Sequence, residues 1–462
     1  QNGWIDSIDG VPTGNMDHEE KEALLAQKRL AVFNEIYHSG GITAIADLVS
    51  RLERQQVLGH TAAQSPLSEQ DERLTIGWLS VDTEDKKNQF AQSYIWSRSW
   101  DSELLWVKKA WETVKNQTED IAIRAQFFLS ISLRMDHWQL LETAEEEVQA
   151  LYWKKIQPYV PRDRKEENEY VIRKLMDAGR YIDIIDTMTY WCDDLPSELL
   201  ADILLKAVTT SGEETTQFEH HDINAWFTRL QARNDLDPKT MKTLEWLYLP
   251  VFSHLTGYIP KTLHKALTDD PAFFAEVVSY VYMPDEKAEE NYTEETLQEY
   301  FQKSDSARKL LEGWYGIPGM AEDGTINKDV LSDWVEKAIT KGKELNRVYG
   351  VNSQLGQLFA CYPRKSAETW PPDEICEIME KLNNETVFSS YQTEIFNSRG
   401  VYSKSAYEGG GQERGLSHFF ETSAKRIESR YPGTAGTLRT LSRSYLRDAK
   451  DEDDRARLNE LR

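Results

Sequence analysis

The sequence predicts an all-α protein, an α-solenoid-like array of antiparallel helical hairpins with degenerate repeats. Three observations carry this. Apolar residues recur at helical spacing along most of the 462 residues. Helix start and stop signals fall between those stretches. No run alternates apolar and polar with the period of a half-buried strand, and no Asn-Gly hairpin turn joins two apolar runs.

Taken in order, Ile42, Ile45, Ala46, Val49 and Leu52 share one helix face, and Leu104, Val107, Trp111 and Val114 make the next. Leu141, Ala144, Val148, Leu151 and Tyr152 read as one continuing helix. Val171, Leu175 and Ala178 end at Gly179, placed to close a helix in the left-handed conformation. Tyr181, Ile184, Ile185 and Met188 follow at once, so two helices joined by a very short turn must run antiparallel. Pro196 opens a helix carrying Leu199, Leu200, Ile203, Leu204 and Ala207. Asp270 can cap the free N–H groups of a helix whose first residue is Pro271 and whose buried side holds Phe273, Phe274, Val277, Val278 and Val281. A long helix is read from Leu331 through Val335 and Leu345 to Val348. Pro371 and Pro372 introduce Ile375, Ile378, Met379 and Leu382, and Leu438, Leu441, Tyr445 and Ala449 mark the last helix.

The breaks suggest three segments. Residues 1–72 are an N-terminal helical segment whose end, 59–72, reads as a polar loop; 73–314 form a central array; 315–462 form a C-terminal array with a Gly-rich loop at 397–415. Residues 155–165 and 315–327 are possible divisions, and 284–299 reads as an acidic connection. No tetratricopeptide-like signature recurs at a fixed period.

Composition narrows the function. Hydrophobic residues are 40% and charged residues 29%, a globular balance, and no apolar run approaches the roughly 20 residues that span a bilayer. No membrane role is expected. The net charge of −24 disfavours nucleic acid and anionic membranes, which are held by Lys and Arg. The basic stretch Lys425, Arg426, Arg430, Arg439, Arg443 and Arg447 reads as a solvated helix face. Cys192, Cys361 and Cys376 are odd in number and lack CxxC spacing, which fits a reducing cytoplasm better than a disulfide framework or a zinc site. The Asn-x-Thr triplets at Asn116, Asn291 and Asn384 are as many as chance supplies. The chain begins at Gln1, and residues 2–13 read as a polar connecting strip, so a piece of a longer protein is expected.

No catalytic signature is present: no GxSxG elbow, no phosphate-binding loop, no HExxH and no Asp-rich calcium loop. No cofactor and no metal are expected. His220 and His221 are adjacent and point apart on a helix, a poor metal pair; His254 and His264 read as structural or solvated. Fourteen tryptophans are many, and Trp96, Trp100, Trp106 and Trp111 cluster. They read as filling between helices, the alternative being a stacking platform for sugars or bases. The loop 397–415 is the most distinctive segment. Its glycines Gly409, Gly410 and Gly411 allow close approach and present N–H groups to an anion, while Arg399 and Arg414 can clamp a carboxylate or phosphate. With Tyr407 and Glu408 these are the candidate binding residues. Set against that is an inter-helix corner in which the arginines tie helix ends.

Residues 148–160 (VQALYWKKIQPYV), 244–252 (LEWLYLPVF), 261–282 (KTLHKALTDDPAFFAEVVSYVY) and 396–420 (FNSRGVYSKSAYEGGGQERGLSHFF) carry a resemblance. Over roughly residues 100–450 the chain resembles the C-terminal helical-repeat region of large, mostly unannotated bacterial proteins. Some of those have an ATP-binding or NTPase-like module upstream and an antiviral-defence setting. The resemblance implies a sensor or scaffold region and carries over no active-site residue. The expected function is therefore a non-enzymatic scaffold that binds a protein partner or the upstream domains of its own protein. The rival expectation is an (α/α) toroid acting on carbohydrate through a carboxylate pair in a Trp-lined cleft. A third is nucleic-acid binding through the basic last helix.

Overall fold

The computed structural model describes residues 18–101, 104–157, 163–189, 195–210, 220–252, 258–286, 294–400, 403–405 and 408–460. Within them lie 22 α-helices and no strand; Met320 and Ile326 make an isolated antiparallel bridge. The protein is all-α, as the periodicity requires. None of the described helices is long and apolar enough to cross a membrane. The chain divides into two compact units, Gln1–Gly212 and Glu213–Arg462.

The first unit holds α1 (His18–Arg51), α2 (Gln55–Ala62), α3 (Glu69–Ile76), α4 (Lys86–Asp101), α5 (Leu104–Gln117), α6 (Ile121–Leu129), α7 (Met135–Leu141), α8 (Glu146–Lys155), α9 (Lys165–Asp177), α10 (Tyr181–Met188) and α11 (Ser197–Thr210). Caps explain several starts. Ser68 accepts the Asp71 N–H at 3.2 Å to begin α3, and Asp120 accepts that of Ala122 at 2.8 Å to begin α6. Each such cap is worth about 1 kcal/mol. At the end of α9, Gly179 adopts φ +71°, and the Arg180 N–H reaches the Leu175 carbonyl at 2.9 Å, the expected left-handed closure. The helices pack in two layers: α2 lies on α4 and α6 on α8, while α3 lies on α5 and α5 on α7. This alternation is what a stack of hairpins produces, each burying its apolar stripe against the next.

The second unit holds α12 (His220–Arg233), α13 (Pro238–Phe252), α14 (Lys261–Asp269), α15 (Pro271–Val281), α16 (Glu294–Glu312), α17 (Lys328–Glu344), α18 (Val348–Ala360), α19 (Asp373–Leu382), α20 (Glu385–Asn397), α21 (Gly411–Ile427) and α22 (Pro432–Glu460). Asp270 caps α15 as expected, accepting the N–H groups of Ala272 and Phe273 at 2.9 and 3.2 Å. The alternation recurs, with α15 on α17 and α17 on α19, and α18 on α20 and α20 on α22. Phe274, Trp314 and Trp334 meet at ring distances of 4.9–6.2 Å in one part of the core. Trp370, Phe420 and Tyr445 meet in another. Full burial of such a side chain contributes about 1.5–3 kcal/mol.

Three helix pairs approach to backbone contact at a glycine. A Cβ on Gly59 of α2 would overlap the Phe90 carbonyl oxygen of α4, and one on Gly356 of α18 would overlap that of Val387 in α20. A Cβ on Gly410, which precedes α21, would overlap the Ala449 carbonyl oxygen of α22.

Several expected boundaries move. The loop expected at 59–72 is helical at both ends, because Gly59 serves close packing rather than a turn. The helix read across Leu141–Tyr152 is two, since α7 stops at Leu141 and α8 starts at Glu146. The helix read from Leu331 to Val348 ends at Glu344. Asn346 takes φ +55°, and the Arg347 N–H closes on the Gly342 carbonyl at 2.8 Å. Of the acidic connection, residues 294–299 belong to α16, and 287–293 lie outside the described residues. The segment boundaries expected after residues 72 and 314 fall inside units. Ser65 bonds Asn34 and Tyr37 bonds Asp71, both at 2.6 Å, which ties 65–71 to α1. Residues 315–327 form a tight turn, closed by the Asn327 N–H on the Gly319 carbonyl at 2.9 Å, between helices that both pack on α15.

Candidate functional site

In the first unit, α4 divides its faces sharply. Phe90, Ala91, Tyr94 and Ile95 are fully buried, while Trp96 and Trp100, one turn apart, are 38% and 55% exposed. Their rings stack at 6.0 Å with an interplanar angle of 29°.

Two clefts meet at this pair, and both include Trp96 and Leu129. One, of about 490 Å³, is walled by Arg29 of α1, by Gln56 and His60 of α2, by Gln64 in the turn after it, and by Gln92 of α4. The other, of about 540 Å³, adds Trp100, Leu133, Lys155, Ile156 and Arg164. The helices that build them are α1, α2, α4, α6 and the end of α8, so the groove runs along one layer of the stack. Among the described residues lining it none is acidic, whereas Arg29, Lys155 and Arg164 are basic. Arg164 is held in place by Glu167 at 3.2 Å.

His60 and Ser97 are hydrogen-bonded beside the groove. The Ser97 hydroxyl also stands 2.9 Å from the Ser93 carbonyl, to which it donates when His60 Nδ1 carries the proton of their shared hydrogen bond. A serine activated by histidine needs the opposite arrangement.

The other clustered tryptophans are structural. Trp111 is buried against Phe128 at 4.7 Å. Trp106 donates its indole N–H to Glu72 at 2.8 Å, and the Tyr94 hydroxyl donates to the same carboxylate at 2.7 Å. The expectation that the tryptophans fill gaps therefore describes Trp106 and Trp111, while Trp96 and Trp100 are left partly in solvent.

In the second unit, loop 397–415 contains the anion-clamping chemistry read from the sequence, directed at carboxylates of the chain itself. The Gly410 N–H donates to Asp453 of α22 at 2.8 Å, and Arg414 pairs with the same carboxylate at 2.6 Å. Arg399 and Lys404 pair with Glu413 at 2.7 and 2.6 Å. Glu413 is 1% exposed at its side chain; burial pushes its carboxyl up, but the hydrogen bonds from Lys404 and Arg399 outweigh this and hold it at about 2. Glu408 receives the Ser405 N–H and a Gln412 amide proton. Gly409 takes φ +65° to turn the chain, and Gly411 is the first residue of α21. Tyr407 lies outside the described residues. The loop thus joins Arg399, Gly410 and Arg414 into one corner fastened to α22.

Among the described residues no group of His, Cys, Asp and Glu could hold a metal ion. Burial pushes the Cys361 and Cys376 thiols up to about 11 and about 12, which makes them poor nucleophiles; Cys192 lies outside the described residues. His254 also lies outside them; burial holds His264 below the usual histidine range. In the basic stretch, Arg426 and Arg430 pair with Asp373 at 3.2 and 2.5 Å, and Arg439 pairs with Glu428.

Sequence reasoning missed Lys155 and Arg164 as groove residues and Glu245 as a buried carboxylate. A signal for the groove existed, since Trp96 and Trp100 are one turn apart on a face turned away from Ala91 and Ile95. No family model matches the chain, and no curated protein or solved structure matches it.

Proposed function

We propose that this chain is a non-catalytic helical scaffold that holds a protein partner. We further propose that it is the sensing or docking region of a larger bacterial protein, in the antiviral-defence setting its resemblance implies. The observation that carries the reading is the Trp96–Trp100 groove, a continuous surface built by one layer of stacked helices. Helical arrays of this kind offer extended surfaces suited to protein ligands. The rival toroid needs a carboxylate pair beside its tryptophans; the described lining of this groove supplies neither acid, and in the cleft that Trp106 lines with Glu69, Glu72 and Glu112, Glu72 is engaged by the Tyr94 hydroxyl and the Trp106 indole. Loop 397–415 is a lesser candidate contact, because Arg399 and Arg414 already face Glu413 and Asp453.

The test is reconstitution. Proteins co-purifying with the full chain from a bacterial lysate are identified, expressed separately and mixed with it in an analytical ultracentrifuge. A stoichiometric complex is the expected result. Turnover of a soluble glycan or nucleotide by the purified chain, abolished by a single residue change, would overturn the proposal.

A further inference from the structure

We infer that the Trp96–Trp100 groove binds an extended, acidic peptide segment, with an apolar or aromatic anchor against Trp100 and a carboxylate directed to Lys155. This deepens the scaffold reading and rests on it. Charge is the first argument. The chain carries −24, yet the described groove lining includes Arg29, Lys155 and Arg164 and no acid, with Glu167 offsetting the Arg164 charge from outside the lining and Lys155 exposed beside Trp100. That local reversal is complementary to an anionic segment and steers one toward it.

Shape is the second. The two clefts follow one another along α4 and share Trp96 and Leu129, so successive side chains of an extended segment would enter successive pockets. A compact ligand would occupy one of them. The third argument is the wall chemistry. Gln56, Gln64, Gln92 and Gln157 line the clefts, and a primary amide both donates to and accepts from a peptide backbone. The indoles supply a rigid apolar platform with few torsions to freeze, which suits anchor recognition. A polyphosphate chain fits less well. Its affinity scales with the cations it meets, three here, and the net charge of the whole protein repels it.

The experiment selects binders from a random-peptide display library on the immobilised full chain, then measures enriched peptides by fluorescence anisotropy. Enrichment of Asp and Glu around an aromatic or aliphatic residue is expected. Trp100→Ala and Lys155→Glu should each weaken binding about tenfold or more. The neighbouring Lys154→Glu, outside the lining, should leave it unchanged. All three positions are exposed, and an unaltered circular-dichroism melting curve checks the fold. Enriched peptides that lack acids, or that bind the Trp100→Ala protein equally, would overturn the inference. So would displacement of the peptide by an oligothymidylate that binds more tightly. An absence of enrichment overturns it as well; a stoichiometric complex in the ultracentrifuge would then show that only the groove assignment had failed.

Discussion

Arg399 Nη2 stands 2.7 Å from the carboxylate of Glu413, a charge whose side chain is 1% exposed. Lys404 approaches the other oxygen at 2.6 Å and also reaches Glu452 at 3.4 Å. Removing one member of a buried pair leaves an uncompensated charge. Glu413→Gln is therefore expected to destabilise the second unit by about 3–5 kcal/mol in a denaturant titration at neutral pH. The pH dependence follows from the depressed carboxyl. Its folded value, about 2, is below the ordinary 4.5, so its contribution is complete above about 4.5 and is lost as pH falls toward 2. The Gln variant should lack that acid limb.

Neighbouring glycines predict opposite outcomes. A Cβ on Gly410 would overlap the Ala449 carbonyl oxygen, whereas one on Gly411 meets nothing within 4 Å. Gly410→Ala should push α21 off α22 and cost about 1–3 kcal/mol. Gly411→Ala, in the first turn of the same helix, should be neutral or stabilise by about 0.4–1 kcal/mol. Thermal melts of the two proteins would distinguish these outcomes; equal effects would contradict the close approach.

Glu245 is fully buried on α13 and caps another helix. It accepts the Leu263 N–H at 2.8 Å, that of Thr262 at 3.4 Å and the Tyr258 hydroxyl at 2.8 Å. Glu245→Ala strands these donors and should cost roughly 2–4 kcal/mol. Burial raises its carboxyl above the ordinary 4.5, more than these hydrogen bonds lower it. The unfolded chain therefore ionises first, and this group's contribution is greatest below about 4.5 and declines as pH rises through the folded value. Glu413 acts with the opposite sign, so stability curves of Glu245→Gln and Glu413→Gln should diverge in mild acid.

His137 in the first unit is 1% exposed and bonds the Ser132 carbonyl through Nδ1 at 2.8 Å. Burial holds the imidazole below the ordinary 6.5. The unfolded state takes the proton first, so stability is lost as pH falls below about 6.5. His137→Phe should remove that limb at a neutral-pH cost of about 1 kcal/mol for the lost hydrogen bond. Proton NMR of the wild type should find the neutral form of His137 predominant at pH 6.5.

Helices were legible wherever a local signal coincided with an apolar face. Asp270 with Pro271, and Gly179, are such places, because cap chemistry is set by residues within a few positions. Gly59 misled because a glycine that breaks a helix and one that admits a neighbouring backbone look alike in sequence. Asn346 was passed over because the apolar spacing continues across its left-handed turn. At loop 397–415 the clamp chemistry was legible and its anions were not. Asp453 lies 43 positions from Gly410, and nothing local to the loop announces it. Lys155 and Arg164 escaped for the same reason, since only packing brings α8 beside Trp100.

The glycine crossings have a mechanical consequence. At Gly59–Phe90, Gly356–Val387 and Gly410–Ala449, backbone lies against backbone, with no side chain between to change rotamer. Close-packed interfaces of this kind hardly compress, and here they also cannot repack. Those joints are therefore rigid hinges fixed shut. Within a unit, flexing should cost least where long side chains interleave and can change rotamer, and most at these three crossings.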